Sequence, residues 1–236
     1  MKIAVTAFLS LCLSTAVPAI AAEIPVHTSN VILSRDDPSQ DEIGALKYRG
    51  GLDIRSPDRR FGGLSGLDIS EDGRRLTAVT DRGAWFTANL VYDRDGRLAG
   101  LSDTNMLAIR AEDGTPLTGR ANTDSESIVR LADGSLVVGF EQRHRLHRFT
   151  APGTAARPFD APAALRTSPK NGGAEAITLL RGNQLLILSE RLEAGPGIGA
   201  GWIGSGRTWR AVGLRKTGIF HPVGAATRDD GTVFLL

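Results

Sequence analysis

Residues 126–141 read ESIVRLADGSLVVGFE, and this stretch decides the fold. A short apolar run leads into a turn that ends in glycine, and a second apolar run follows the turn. Asp-Gly between two β-rich runs favours a hairpin, because glycine accepts the positive φ that a tight turn requires. The stretch therefore predicts two antiparallel strands joined by a turn at Gly134.

The same pattern occurs four times along the chain. The four turns end at Gly73, Gly134, Gly182 and Gly231, which lie 61, 48 and 49 residues apart. A hairpin that recurs at about 40–50 residues is typical of β-propeller blades. The second strands are apolar on both faces, as blades that stack face to face require. We therefore expect an all-β fold of β-propeller-like repeats of short antiparallel strands.

Two stretches rich in glycine and proline, residues 151–173 and 195–206, are predicted to be surface connections. Residues 199–204 read GAGWIG and fit G-x-G-x-x-G, but no helix-like stretch follows and no acidic residue lies about twenty residues later, so dinucleotide binding is not expected. There is no G-x-S-x-G elbow of an α/β esterase. Ser65, in Gly-Leu-Ser-Gly at a strand start, is interpreted as a turn residue rather than a nucleophile.

The first 22 residues have the order of features of a signal peptide. Lys2 supplies the positive charge, residues 3–13 are apolar, and Ala19-Ile20-Ala21 fits a small-x-small cleavage site. We expect removal of residues 1–22, which leaves residues 23–236 as one domain in the periplasm or outside the cell. No later segment is apolar for long enough to form a transmembrane helix. Cys12 is the only cysteine, so a disulfide scaffold, a thiol nucleophile and a cysteine-ligated zinc are excluded after cleavage.

The charges nearly balance, with 28 Lys and Arg against 26 Asp and Glu, which argues against a nucleic-acid partner. Their placement is more informative, because each complete repeat ends its second strand with an acid followed by an arginine. The start of the first strand and the end of the second lie at the same end of a hairpin. We therefore expect Glu126 beside Glu141 and Glu175 beside Glu190, around one mouth of the propeller channel.

Paired carboxylates can bind Ca²⁺ through their oxygens, or shift each other's pKa for acid–base catalysis. Nearby arginines suit anionic oxygens such as those of phosphate. Acids at strand ends can also be solvated, or form ion pairs that only hold blades together. The candidate catalytic residues are Glu141, Glu190, Glu126 and Glu175; the candidate metal ligands are these four with Asp81 and Asp124; the candidate substrate contacts are Arg82, Arg143 and Arg191.

Six short motifs, in this order and spacing, resemble the phytase-like family known as "esterase-like activity of phytase". They are residues 61–67 (FGGLSGL), 80–83 (TDRG), 124–127 (DSES), 140–141 (FE), 173–176 (GAEA) and 189–191 (SER). The resemblance covers roughly residues 45–236 and implies an exported propeller-like protein that hydrolyses phosphoesters or esters. The acids carried over from the family are Asp81, Glu126, Glu141, Glu175 and Glu190.

Members of this family usually continue through further repeats, so we expect residues 23–236 to be a partial propeller, incomplete at its C-terminus. The predicted protein is an exported, monomeric hydrolase that acts on a small phosphorylated or esterified substrate with the help of Ca²⁺. The alternative is a non-catalytic periplasmic binding or scaffold propeller whose acids are structural.

Overall fold

The computed structural model describes residues 21–236, so the expected signal peptide lies outside the described residues except for its last two. Over these residues the chain forms nineteen strands, one helical turn, α1 (Arg120–Thr123), and one 3-10 helix (Ala163–Thr167). The strands are β1 (Ala22–Glu23), β2 (His27–Val31), β3 (Glu42–Ile43), β4 (Leu46–Lys47), β5 (Gly51–Arg55), β6 (Leu64–Ile69), β7 (Arg75–Thr80), β8 (Ala84–Tyr92), β9 (Leu98–Ala108), β10 (Ser125–Arg130), β11 (Leu136–Phe140), β12 (Arg145–Phe149), β13 (Arg157–Phe159), β14 (Ala174–Leu180), β15 (Gln184–Gly195), β16 (Ile198–Ser205), β17 (Thr208–Arg215), β18 (Ala225–Thr227) and β19 (Val233–Leu235).

The strands form separate antiparallel sheets, and the all-β class is confirmed. Sheet 1 has the order β1-β9-β8-β7-β6, sheet 2 the order β10-β11-β12-β13, and sheet 3 the order β14-β15-β16-β17. Three two-stranded sheets, β18-β19, β2-β5 and β3-β4, complete the part of the chain that the structure covers. No helix among residues 21–236 is long and apolar enough to cross a membrane.

The four predicted hairpins are present as β6–β7, β10–β11, β14–β15 and β18–β19. Their turn glycines, Gly73, Gly134, Gly182 and Gly231, all have the positive φ that the sequence pattern requires, between 69° and 90°. The first strands of successive hairpins lie side by side, with β6 next to β10, β10 next to β14, and β14 next to β18. The hairpins therefore meet along their first strands.

The second strands of the first three hairpins are largely buried on both faces, as their apolar runs predict, whereas β19 of the fourth is mostly exposed. In β11, Val138 packs into a core shared with Trp85 of sheet 1, whereas Val137 packs into a core shared with Ile187 of sheet 3. Successive side chains of a strand point to opposite faces. A continuous apolar run in β11 is therefore what a sheet between two other sheets needs.

The prediction of a surface connection at residues 195–206 is wrong. This stretch forms β16, which pairs with β15 on one side and β17 on the other. A Cβ on Gly201 would come within 2.5 Å of the Leu188 side chain. Glycine at this strand position therefore allows close packing. Residues 151–173 also contain regular structure, namely β13 and the 3-10 helix, between irregular segments.

The first strands approach one another closely at the end where the acids lie. A Cβ on Gly66 of β6 would lie 2.7 Å from the Cα of Ser127 and 2.7 Å from the backbone nitrogen of Ile128. Two buried hydroxyls then tie β10 to its neighbours, because Ser125 donates to the carbonyl oxygen of Thr80 at 2.7 Å and Ser127 donates to that of Ala174. The sheets are therefore held together by backbone contact and by side-chain hydrogen bonds.

Replacement of Gly66 by alanine should reduce the free energy of unfolding by about 1–3 kcal/mol, because the added methyl group has to push two backbones apart. The matched control is Gly100→Ala in the same sheet, where the nearest atom to a new Cβ is 4.0 Å away. That control should change stability by less than about 0.5 kcal/mol. Urea unfolding followed by circular dichroism measures both variants, and an equal loss in the two would contradict this account of the strand contact.

Candidate functional site

Five carboxylates meet at one end of sheets 2 and 3. One oxygen from each of Asp124, Glu126 and Glu141 lies within 4.8 Å of the other two, and the same holds for Glu141, Glu175 and Glu190. We call these the first and second acid clusters, and they share Glu141. The structure therefore brings together both glutamate pairs that the hairpin geometry predicts.

A β-bulge positions the glutamate on the first strand of each of these sheets. The pairing of β10 with β11 shifts register between Ser125 and Ser127, which leaves Glu126 as the extra residue. In β14 the register shifts in the same way around Glu175. A bulge re-aims a side chain at the edge of a sheet. Ser65 lies at the corresponding shift in β6, so it is a strand residue and not the turn residue that the sequence predicts.

Glu141 is the most constrained of the five acids, being 5% exposed. Its Oε1 accepts hydrogen bonds from the backbone N–H groups of Gly172 and Gly173, the latter at 2.6 Å. A Cβ on Gly173 would lie 2.5 Å from Nδ1 of His144, so this close approach of the backbone requires glycine. One oxygen of Glu141 is thus fixed by the chain that leads into sheet 3.

Gln142 supports Asp124 from the other side. Its side-chain amide donates to Oδ2 of Asp124 at 3.0 Å and also contacts Asn171. Gln142 has a φ of 56°, in the left-handed region that side chains other than glycine rarely adopt. Such conformations concentrate at functional sites, where the surroundings compensate for their strain. The sequence gives no signal for this contact, nor for the hydrogen bonds from Gly172 and Gly173.

The acids are poorly neutralised by basic side chains. Over residues 21–236 no Lys or Arg nitrogen lies within 4.0 Å of a carboxylate oxygen of Glu126, Glu141 or Glu175, while Glu190 pairs with Arg191 at 3.0 Å. Burial raises the pKa of Glu126 to about 7, and the charges of Asp124 and Glu141 add to the rise.

Glu175 is shifted in the same direction. Burial raises the pKa of its carboxyl first, then the charge of Glu126, and then the hydrogen bond and charge of Glu141. A neutral carboxyl is favoured wherever a negative charge would lie among other negative charges. The two bulge glutamates therefore hold protons more tightly than ordinary surface glutamates do.

Asp81 stands apart from the other acids. Among the residues that the structure describes, its carboxylate belongs to neither acid cluster. It lies against Gly63, where a Cβ would be only 1.8 Å from Oδ1, and Arg82 Nε is 3.8 Å from the same oxygen. The residue of sheet 2 that corresponds to Gly63 is Asp124, so in sheet 2 there is no glycine at this position for an acid to lie against.

The three predicted substrate arginines are exposed. Arg143 donates to the side-chain oxygen of Asn122 at 3.2 Å, Arg191 pairs with Glu190, and Arg82 makes only long contacts. Each of these guanidinium groups keeps donors free for an anionic ligand.

The clusters could hold a metal ion, since every side-chain ligand they offer is a carboxylate oxygen. Such oxygens are the ligands that hard divalent cations such as Ca²⁺ and Mg²⁺ prefer, whereas Zn²⁺ favours nitrogen and sulfur. A cation would also remove the mutual repulsion that raises the pKa of Glu126 and Glu175. The donor set and its uncompensated charge thus fit a divalent cation.

Comparison with known families agrees with the repeated acids. The family model described as "Phytase-like: Esterase-like activity of phytase" matches residues 59–236. This chain belongs to the phytase-like family. All five clustered acids lie within the matched region of this phytase-like chain.

No curated protein matches the sequence. Among solved structures, the phytase-like chain is similar to the extracellular domain of the putative one-component system BT4673 from B. thetaiotaomicron. The identity is 11% and the TM-score 0.45, and the match covers 78% of this chain and 22% of that one. The chain thus spans about a fifth of the length of that protein.

The shifted pKa of Glu126 predicts how the stability of the metal-free protein depends on pH. A carboxyl whose pKa rises from 4.5 to about 7 on folding stabilises the protein below pH 4.5 and loses that contribution as the pH rises to 7. Glu126→Gln, which resembles the protonated acid, should therefore stabilise the protein by about 1–2 kcal/mol at pH 8, after allowance for solvent screening of a half-buried group, and by little at pH 5.

Urea unfolding in EGTA at the two pH values measures this difference. The control is Glu71→Gln, at an exposed acid in the turn of the first hairpin, far from the clusters. It should change stability equally at both pH values. A Glu126→Gln variant that gains no more at pH 8 than at pH 5 would show that the carboxyl is not held protonated by its surroundings.

Proposed function

We propose that this phytase-like protein is an exported hydrolase that acts on a small phosphoester, or another ester, with Ca²⁺ bound at the two acid clusters. The observation that carries the proposal is the shared position of Glu141. Its carboxylate lies within 4.8 Å of two acids in each cluster, and the clusters together contain no lysine or arginine that neutralises them fully. Acids that only held sheets together would be expected to form ion pairs with basic residues. Asp68 forms such a pair with Arg130 between sheets 1 and 2.

The order of the sheets supports a propeller-like site. The first strands β6, β10, β14 and β18 lie side by side, and in a propeller the first strand of each blade lines the central channel. The acid clusters lie at the strand ends that would form one mouth of this channel. We interpret the sheets as consecutive blades.

The cation ligands we assign are Asp124, Glu126 and Glu141 in the first cluster, and Glu141, Glu175 and Glu190 in the second. A bound Ca²⁺ would stabilise negative charge that develops on a phosphoryl or ester oxygen. Glu141 is held in place by Gly172 and Gly173 through one oxygen, which leaves its second oxygen free to act as a ligand.

The protein's own groups supply the remaining requirements. Arg143 and Arg191 can donate two parallel hydrogen bonds to an anionic oxygen pair, which would orient a phosphate beside the clusters. In the metal-free protein a pKa of about 7 lets Glu126 exist in both protonation states near neutral pH, so Ca²⁺ binding would release its proton and leave a carboxylate ligand. Asp81 remains a more distant candidate ligand from sheet 1.

Calcium binding provides the first test. Isothermal titration of metal-free protein with Ca²⁺ should show binding, and Glu141→Gln should weaken it by at least about 100-fold, because even groups that only orient ligands contribute about 10–100-fold. Glutamine keeps the oxygen that accepts from Gly172 and Gly173, so the fold should survive. The control Asp133→Asn removes an exposed acid in the turn of sheet 2, and it should bind Ca²⁺ as the unmodified protein does. Equal Ca²⁺ affinity of the Glu141→Gln and Asp133→Asn variants would show that Glu141 is not a cation ligand.

Hydrolysis provides the second test and separates an enzyme from a binding or scaffold protein. A panel of phosphomonoesters, phosphodiesters and carboxyl esters should include a substrate whose turnover is lost in EDTA and restored by Ca²⁺. Glu190→Gln should lower kcat for that substrate by at least about 100-fold, with the fold checked by circular dichroism. Calcium binding without turnover of any panel member would favour the non-catalytic alternative.

A further inference from the structure

A β-bulge at the start of β6 places a serine where the next two sheets place a glutamate. The pairing of β6 with β7 shifts register between Leu64 and Leu67, with one more residue on β6 than on β7. The same irregularity occurs at Glu126 in β10 and at Glu175 in β14. Ser65 is therefore the residue of sheet 1 that corresponds to these two glutamates.

The neighbouring Gly66 fixes the place of Ser65 relative to sheet 2. The 2.7 Å approach of a Cβ at Gly66 to Ser127 leaves no room between the two backbones. Ser127 directly follows Glu126 in the sequence, just as Gly66 directly follows Ser65. The two bulges therefore meet across the contact between β6 and β10.

The two bulges place Ser65 and Glu126 beside each other at the same end of adjacent strands. The nearby Ser65 hydroxyl lowers the pKa of Glu126, which burial raises. The other polar neighbour of this hydroxyl is the carbonyl oxygen of Gly63 at 3.4 Å, a long contact. A hydroxyl has one proton to donate, and a carboxylate is a stronger acceptor than a carbonyl.

We propose that Ser65 is a positioning residue of the acid site, whose hydroxyl holds the Glu126 carboxylate in the first cluster with Asp124 and Glu141. The proposal rests on the proposed function, because Glu126 needs this orientation only if the cluster binds a cation. Sheet 1 then contributes to the cluster through Ser65, while Asp81 lies outside it.

The experiment compares Ca²⁺ affinity in three variants by isothermal titration, with Tb³⁺ luminescence as a second readout. Ser65→Ala should weaken binding about tenfold, as expected for a group that orients a metal ligand. Ser65→Thr keeps the hydroxyl and should stay within about twofold of the unmodified protein. The control Ser70→Ala removes the hydroxyl that donates to Asp72 at 2.6 Å in the turn of the same hairpin, and it should leave affinity unchanged.

A double-mutant cycle on Ser65→Ala and Glu126→Ala, measured by urea unfolding in EGTA, tests the same contact without metal. The two changes should be non-additive, because each removes the same hydrogen bond. If the protein binds Ca²⁺ but Ser65→Ala binds it equally well, the positioning role is overturned and the proposed function stands. If the protein binds no Ca²⁺, the proposed function fails, and an additive cycle would then overturn the contact as well.

Discussion

The site depends on the way the Glu141 carboxylate joins two sheets. This side chain starts at the end of β11 in sheet 2 and accepts two N–H groups from the glycine pair that leads into β14 of sheet 3. A buried carboxylate is costly unless it is hydrogen-bonded, and two backbone donors offset much of that cost. The same contact brings Glu175 and Glu190 of sheet 3 within reach of Glu141. Acids from two sheets become one site because one of them is shared.

This arrangement concentrates negative charge that the chain does not neutralise. Arg120 lies 3.8 Å from Asp124 and Arg191 3.0 Å from Glu190. Within residues 21–236, however, Glu126, Glu141 and Glu175 have no basic side chain within 4.0 Å and repel one another. Elsewhere the chain pairs a half-buried acid directly, as Asp68 with Arg130. The contrast separates acids that hold sheets together from clustered acids that could hold a cation. Burial first, and the charges of neighbouring acids second, raise the pKa of Glu126 and Glu175 in the second arrangement.

The sequence predicts the hairpins and the glutamate pairs because both depend on local geometry. A turn glycine fixes each hairpin, and antiparallel pairing then places Glu126 beside Glu141. Other contacts depend on residues far apart in the chain, and no local pattern reveals them. The glycine pair that binds Glu141 lies about thirty residues beyond it. The glycines of β16 suggest a loop when read alone, but in the sheet they allow close packing against neighbouring strands.

One repeated backbone contact puts the acids of sheets 1, 2 and 3 at equivalent places. In each sheet the backbone N–H of the acid at the end of the second strand donates to the residue that precedes the first strand: Asp81 to Gly63, Glu141 to Asp124, and Glu190 to Gly173.

In sheet 1 the acid, Asp81, is one methylene shorter than Glu141 and Glu190 and lies against Gly63, whereas sheet 2 has a further acid, Asp124, at the position of Gly63. Sheet 2 consequently supplies three acids, sheet 3 two, and sheet 1 a hydroxyl in their place. Negative charge is therefore highest between sheets 2 and 3 and falls toward sheet 1, where Arg82 is exposed. If the proposed function holds, an anionic substrate would meet the least repulsion on that side.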